Sequence, residues 1–535
     1  MPVTESQVKR QASMRRTFAI ISHPDAGKTT LTEKLLLYGG AIHLAGAVKA
    51  KKNQRHTTSD WMDIEKERGI SISASVLQFE YGGCCINLLD TPGHKDFSED
   101  TYRTLMAADS AVMLIDGAKG VEPQTIKLFE VCRMRGIPIF TFINKMDRPT
   151  KEPIDLLDEL EKVLGIRSCP MNWPIGMGDR FKGIYSRHDE KVVLYQAAKT
   201  ANATQKITST PLSGIDDPKL KTIAESEEIY DQLMAEIELL DVAGDAYDQE
   251  RILKGELTPL FFGSAMNNFG VETFLNDFVK IAPAPQPRES SLKQVHPGDP
   301  EFSSFVFKIQ ANMDPRHRDR VAFMRICSGH FEKNMMVHHT RTEKKMKLSR
   351  PLHFFAQERV VVEEAFPGDI VGLVDTTGNL RIGDTLCTGS PLEYSGIPRF
   401  SPEQFVSVQI KDPMKRKQLK KGLEQLSEEG VIQVFSQVGL GDKDPVLGAV
   451  GVLQFEVLKE RLKMEYSTEV RLDPLPFTVA RWISGDDLNL SVFEGRSDSK
   501  CVLDRDEKPV VLFKTPWALQ WAQNHYPEIK FSQTQ

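Results

Sequence analysis

Continuous apolar runs of strand length recur through the first part of the chain. They are Thr17-Phe18-Ala19-Ile20-Ile21, Cys85-Ile86-Asn87-Leu88-Leu89, Ala111-Val112-Met113-Leu114-Ile115 and Pro138-Ile139-Phe140-Thr141-Phe142-Ile143. A strand covered on both faces loses the alternation of a half-buried one, and helical spacing such as that of Lys28 to Leu37 separates these runs. The pattern predicts a parallel sheet between helices. It breaks over residues 150–256, where Ile223, Ile229, Leu233, Ile237 and Leu240 fall at helical spacing among many acids, the mark of an amphipathic acidic helix. It resumes with a strand from Leu257 to Phe262 and a helix from Val271 to Ile281.

Ala282-Pro283-Ala284-Pro285-Gln286-Pro287 reads as a stiff linker. Residues 302–390 carry short strands and glycine turns (Pro367-Gly368-Asp369, Ile382-Gly383-Asp384) and predict a β-barrel. Residues 400–475 mix both patterns, and strand-like Phe477 to Ile483 is followed by little periodicity. The expected domains are 1–285, α/β with an insertion at about 150–256, then a β-barrel at 300–392 and a small α+β domain at 400–535.

Composition adds bounds. A chain of 535 residues suits about three domains. A net charge of −6 argues against broad nucleic-acid coating and leaves room for local basic patches. The seven cysteines are odd in number and form no C-x-x-C, so reduced buried thiols and a reducing, cytoplasmic setting are expected. No signal-peptide pattern opens the chain, and no apolar run approaches the ~18 residues of a membrane span.

Chemistry concentrates where the apolar runs end, which is where open α/β sheets bind ligands. Ser22-His23-Pro24-Asp25-Ala26-Gly27-Lys28-Thr29, with Thr30 next, follows the first run and opens a helix. It resembles G-x-x-x-x-G-K-[ST] with Ser22 for the first glycine, a loop whose N–H groups cradle phosphates. Lys28 would reach the β/γ-phosphates and the Thr29 hydroxyl would bind Mg²⁺. Asp90, at the end of the second run, can hold Mg²⁺ through water, and Gly93 in Asp90-Thr91-Pro92-Gly93-His94 can offer its N–H to a γ-phosphate. In Asn144-Lys145-Met146-Asp147 the Asp147 carboxylate can accept two N–H bonds that guanine offers and adenine does not, with Asn144 and Lys145 holding the loop. Gly263-Ser264-Ala265 can complete the base pocket. These motifs in this order, with Arg68-Gly69-Ile70-Ser71-Ile72 between the first two, describe a GTP/GDP and Mg²⁺ site that senses a γ-phosphate.

The set resembles the translational GTPases, the family of elongation factors Tu and G. The resemblance implies an α/β P-loop GTPase domain followed by the barrel and the α+β domain. It implies that His94 orients the attacking water and that Ser71, standing where the family carries Thr, closes over Mg²⁺ in the triphosphate state. Pro24 occupies the place of an aliphatic gate residue opposite Ile70, and Asp25 matches a loop Asp near the phosphates. Lys308-Ile309-Gln310-Ala311-Asn312-Met313-Asp314-Pro315 with Arg316 to Arg320, Gln425-Leu426-Ser427-Glu428-Glu429-Gly430, Gly448 to Phe455 and Ala480-Arg481-Trp482 are similar to the termination branch of that family. That branch implies a monomer that binds the bacterial ribosome, RNA and protein, and drives class I release factors off it after peptide release. The alternatives are another ribosomal GTPase, elongation-type or ribosome-protecting, and a GTP-binding scaffold without turnover. The chain length weighs against the first, and His94 and Ser71 against the second.

Two basic runs stand apart. Lys415-Arg416-Lys417-Gln418-Leu419-Lys420-Lys421 opens a helix whose tail is acidic, a charge order that opposes the helix dipole. His338-His339 with Arg341, Lys344, Lys345 and Lys347 is the second. Each reads as a solvated face or as a contact for ribosomal RNA phosphate.

Overall fold

The structure, a computed structural model, describes residues 3–41, 65, 71–196, 206–311, 320–355, 358–376, 378–394, 401–437, 441–485, 490–493 and 496–533. The apolar runs of the first part form one seven-stranded sheet. Its order is Ser75–Tyr81, Cys84–Asp90, Arg15–Ser22, Ser110–Asp116, Ile139–Asn144, Leu257–Phe262 and Arg167–Pro170. All pairings are parallel except the hairpin of Ser75–Tyr81 on Cys84–Asp90. The runs lack polar alternation because both faces are covered. Phe18, Phe140 and Phe142 pack under Leu31, Leu35, Phe274 and Phe278 on one side, while Met113 and Ile143 meet Leu105, Leu128, Phe129 and Leu160 on the other.

The irregular segment begins within this sheet, with the helix Pro153–Leu164 and the edge strand Arg167–Pro170. Beyond them lies a four-stranded antiparallel sheet, ordered Lys206–Pro211, Lys191–Gln196, Gly183–Ser186 and Asn172–Ile175. The acidic helix Glu227–Ala243 buries Ile229, Leu233, Ile237 and Leu240.

The barrel domain is an antiparallel eight-stranded sheet from Ser303–Ala311 to Thr385–Cys387, filled by Val306, Ile309, Met324, Val371 and Leu386. The C-terminal domain is a second antiparallel eight-stranded sheet. Helices Arg416–Glu428 and Val452–Tyr466 cover one half of it through Leu423, Leu426, Leu458 and Leu462. The last part, where periodicity is weak, supplies strands Ser499–Leu503, Pro509–Phe513 and Lys530–Ser532 and the helix Pro516–His525.

Buried charges join the first domain to the barrel. The Arg325 guanidinium is wholly buried and donates to the Asp109 carboxylate, to Thr17 Oγ1 at 2.5 Å and to the Gly368 carbonyl. Arg15 Nε donates to Asp369 Oδ2 at 2.8 Å. Lys308 Nζ crosses to Ser73 Oγ at 2.6 Å and to Asp100 Oδ2 at 3.3 Å.

Candidate functional site

Four strands of the parallel sheet end on one edge, and their loops interlock there. Arg15–Ser22 runs into the loop 23–27, and Lys28–Tyr38 begins where that loop ends. Gly27 lies at φ +99°, and a Cβ on it would sit 2.4 Å from Asn144 Nδ2, so no other residue fits this turn. Asn144 Nδ2 donates to the Ala26 carbonyl at 2.8 Å, and Asn144 Oδ1 accepts from Ala265 N at 2.8 Å. One side chain therefore ties the first loop to the Gly263-Ser264-Ala265 turn. Lys145, at φ +71°, lays its stem over the first loop and donates to the Asp25 carbonyl at 2.5 Å. Pro24 backs Gly93, whose Cβ position lies 3.4 Å from Pro24 N.

Asp147 faces the same pocket. Its Oδ2 accepts from Asn267 Nδ2 at 2.9 Å, while its Oδ1 is buried without a protein partner. A buried carboxylate oxygen left open is costly unless a ligand donor reaches it. Ser264 and Ala265 are buried beside it, and Ser264 Oγ accepts from Asn267 N at 3.4 Å.

The other end of the groove is ionic. Lys28 Nζ, almost fully buried, donates to Asp90 Oδ1 at 2.5 Å and lies 3.4 Å from Ser71 Oγ. Thr29 and Thr30 follow Lys28 in the first turn of the helix, where N–H groups are unspent. Hydroxyls with one carboxylate make a hard-oxygen set of the kind Mg²⁺ takes together with phosphate and water. Among the described residues no group of three His, Cys, Asp or Glu could cage a metal ion. Arg68, Gly69 and Ile70 lie outside the described residues, as do 312–319 of the 308–320 motif.

His94 stands on the turn after Asp90, with about a third of its side chain exposed. Its Nδ1 accepts from Asp96 N at 3.2 Å, which puts the proton of the neutral ring on Nε2. His23 Nε2 lies 3.2 Å from Glu122 Oε1.

Three contributors escaped the sequence reading. Asp116 ends its strand and accepts from Lys145 Nζ at 2.7 Å. Burial opposes its charge, but the Lys145 and Ala118 N–H bonds outweigh that and hold its carboxyl below the usual range. Asn267 orients Asp147, and buried Glu65 accepts from Ile72 N at 2.8 Å and Ser73 N at 3.2 Å, fixing the segment that carries Ser71. An acid closing an apolar run was the visible signal for Asp116; nothing local marks Asn267 or Glu65.

The seven cysteines are free thiols, and burial pushes Cys85 and Cys132 up to about 12, which disfavours the thiolate at both. The second basic run is partly structural: His339 Nε2 lies 2.8 Å from Asp384 Oδ2, and Arg341 Nε donates to Asp384 Oδ1 at 2.6 Å.

A strand-ending phosphate loop, an N-K-x-D loop and a D-x-P-G-H turn on one sheet edge, followed by a barrel, define a translational GTPase. Residues 13–284 match the family model described as elongation factor Tu GTP binding domain, and 301–389 match elongation factor G domain 2. Residues 394–523 match the class II release factor RF3, C-terminal domain. The chain is 59% identical over 524 residues to peptide chain release factor 3 of Symbiobacterium thermophilum, covering 98% of each chain. It is 56% identical to that of Gloeobacter violaceus, covering 97% of each. A crystal structure from Thermus thermophilus shares the fold with TM-score 0.69 at 22% identity, over 89% of this chain and 71% of that one. The chain belongs to the peptide chain release factor 3 family.

Proposed function

We propose that this chain is a ribosome-stimulated GTPase of translation termination that dissociates class I release factors from the bacterial ribosome after peptide release. Asp147, held by Asn267, reads guanine through its open Oδ1. Asn144, Lys145, Ser264 and Ala265 frame the base. His23, Pro24, Asp25, Ala26, Gly27, Lys28, Thr29 and Thr30 surround the phosphates, with Gly93 donating to the γ-phosphate. Thr29, Ser71 and Asp90 would hold Mg²⁺, which neutralises phosphate charge when bound. Lys28 turns from Asp90 toward the β/γ-oxygens. In the reaction water attacks the γ-phosphorus and the bond to the β–γ bridging oxygen breaks. The protein contributes position and charge. His94 holds the water by donation from Nε2 and forms no covalent bond.

The observation that carries this reading is Asn144, whose single amide ties the phosphate loop to the base-side turn. On this reading the chain works on ribosomes as a cytoplasmic monomer; no helix among the described residues is long and apolar enough to cross a membrane. The test is GTP turnover with and without ribosomes, alongside release of a labelled class I factor from terminated ribosomes. Wild type is expected to be slow alone and fast with ribosomes, and His94→Ala to lose most of the stimulated rate, ~10²–10⁴-fold for one positioned group. Equal turnover with and without ribosomes refutes the proposal.

A further inference from the structure

The helix Val452–Tyr466 of the C-terminal domain begins at Gly451, which has no side chain to accept from the first-turn N–H groups. That acceptor comes from another domain. Asp96 Oδ2 accepts from Leu453 N at 2.9 Å, although 357 residues separate the two in sequence. Gly451 makes room for it: a Cβ there would lie 2.0–2.3 Å from the Asp96 carboxylate atoms. A carboxylate at a helix N-terminus is favoured by the first-turn N–H groups and by the helix dipole. Asp96 is buried, so water does not compete for this place.

Asp96 is also the residue that holds His94. Its N–H donates to His94 Nδ1 at 3.2 Å, and its Oδ1 lies 3.5 Å from the same nitrogen. The Ser71 side of the groove meets the same helix. Ile72, which follows Ser71, packs with Phe97, Val457, Val431 and Leu453 in one small apolar cluster. Next to it, Gly430 of the C-terminal domain faces Arg103; a Cβ there would lie 1.7 Å from Arg103 Nη1. The two segments that flank the γ-phosphate position are thus seated on one helix of a different domain.

We propose that Asp96 is a positioning residue that couples the Val452–Tyr466 helix to His94, so that a displacement of the C-terminal domain moves the imidazole toward or away from the reacting water. The coupling rests on the ribosome-stimulated GTPase reading above. It makes the C-terminal domain the lever by which the ribosome reaches His94. It also gives Gly451 a reason: with no Cβ there, the helix start leaves room for the Asp96 carboxylate to reach the Leu453 N–H.

The experiment uses the full-length chain and vacant ribosomes. Stimulated kcat, the ribosome concentration for half-maximal rate, and GDP affinity by titration are measured for wild type, His94→Ala, Asp96→Ala, Asp96→Asn, Leu453→Pro and the Asp96→Ala/Leu453→Pro double variant. Leu453→Pro removes the donated N–H, in the first helical turn where proline is best tolerated, and with it the Leu453 side chain of the apolar cluster. Leu453→Ala, which loses the side chain and keeps the N–H, is therefore measured beside it and should retain most of the stimulated rate. Asp96→Ala and Leu453→Pro are each expected to lower stimulated kcat by ~10-fold or more through misplacement of one catalytic group, with GDP affinity retained. The double variant should be no worse than either single one, because both remove the same link. Asp96→Asn, which keeps an acceptor oxygen, should restore most of the rate. Additive losses in the double variant, or a wild-type kcat in Asp96→Ala, would overturn the coupling. Stimulation lost in His94→Ala but intact in Asp96→Ala and Leu453→Pro removes the coupling and leaves the GTPase reading standing. A wild type that ribosomes do not stimulate removes both.

Discussion

At the scale of the residue, Asp147 is the sharpest case. Its buried Oδ1 has no protein partner, and its Oδ2 is already turned by Asn267. On the proposed reading, Asp147→Asn puts a donor where an acceptor would meet the guanine N–H edge. A hydrogen bond to a charged group is worth about 1.5–3 kcal/mol, so GDP affinity should fall by at least ~10-fold, and xanthosine diphosphate affinity should rise. Competitive titration of the two nucleotides checks both directions. Ser71 and Thr29 make a second contrast. Thr29→Ala should weaken GDP and a non-hydrolysable GTP analogue alike when Mg²⁺ is present, and Ser71→Ala should weaken mainly the analogue. The difference is measured by titration at fixed Mg²⁺.

Asp147 and Thr29 were legible because their loops follow strand ends, where an abrupt change from apolar to polar marks a loop, whereas Ser71 was read from the resemblance. Asn267 was not legible in this way, and Asp116 showed its strand end but not its partner. Asn267 is one amide among several in a polar turn, and Asp116 acts sideways on Lys145. A pattern along the chain reports which face a residue takes, not which loop lies beside it.

At the scale of the element, Asp384 fastens the second basic run to the barrel. Burial pushes its carboxyl up, yet hydrogen bonds from Arg341 and His339 more than offset this and hold its pKa below the ordinary value. A carboxylate with a depressed folded pKa contributes stability above its unfolded pKa, about 3.9, and loses it as pH falls through the folded value. Thermal melts should therefore show Asp384→Asn less stable than wild type at pH 7, with the gap narrowing below about pH 4. The sequence showed this run as surplus positive charge. It could not show that two of those side chains turn inward on an acid some 45 residues later. The helix Arg416–Glu428 was the easier reading, since Leu419, Leu423 and Leu426 repeat on one face and all three are buried. The strands after residue 496 were harder. They are short and neighbour strands distant in sequence, as Ser436–Gln437 does with Leu503 and Val502.

At the scale of the whole molecule, Arg325 is the bolt between the first domain and the barrel. Its charge is wholly buried against Asp109, and burial pulls its pKa below the usual arginine value. Removing one partner of such a pair strands the other, at a cost of about 3–5 kcal/mol. Arg325→Ala should thus lower the denaturant midpoint and split one unfolding transition into two, followed by fluorescence and circular dichroism together. In the sequence Arg325 was one position in a barrel strand and Asp109 one acid before another run.

The same pair has a schedule. Asp109 and Arg325 are 216 residues apart, and at synthesis rates of 5–20 residues per second the arginine emerges roughly 10–40 s after the acid. Both strands that flank Arg15–Ser22 are made by residue 116, and Gln286 and Arg288, whose N–H groups lie 3.3 and 3.6 Å from Asp109 Oδ1, also precede Arg325. The burial of this acid is thus completed by a residue made after the whole of the domain that carries it, so the first domain acquires its last buried charge partner only when the barrel strand is made.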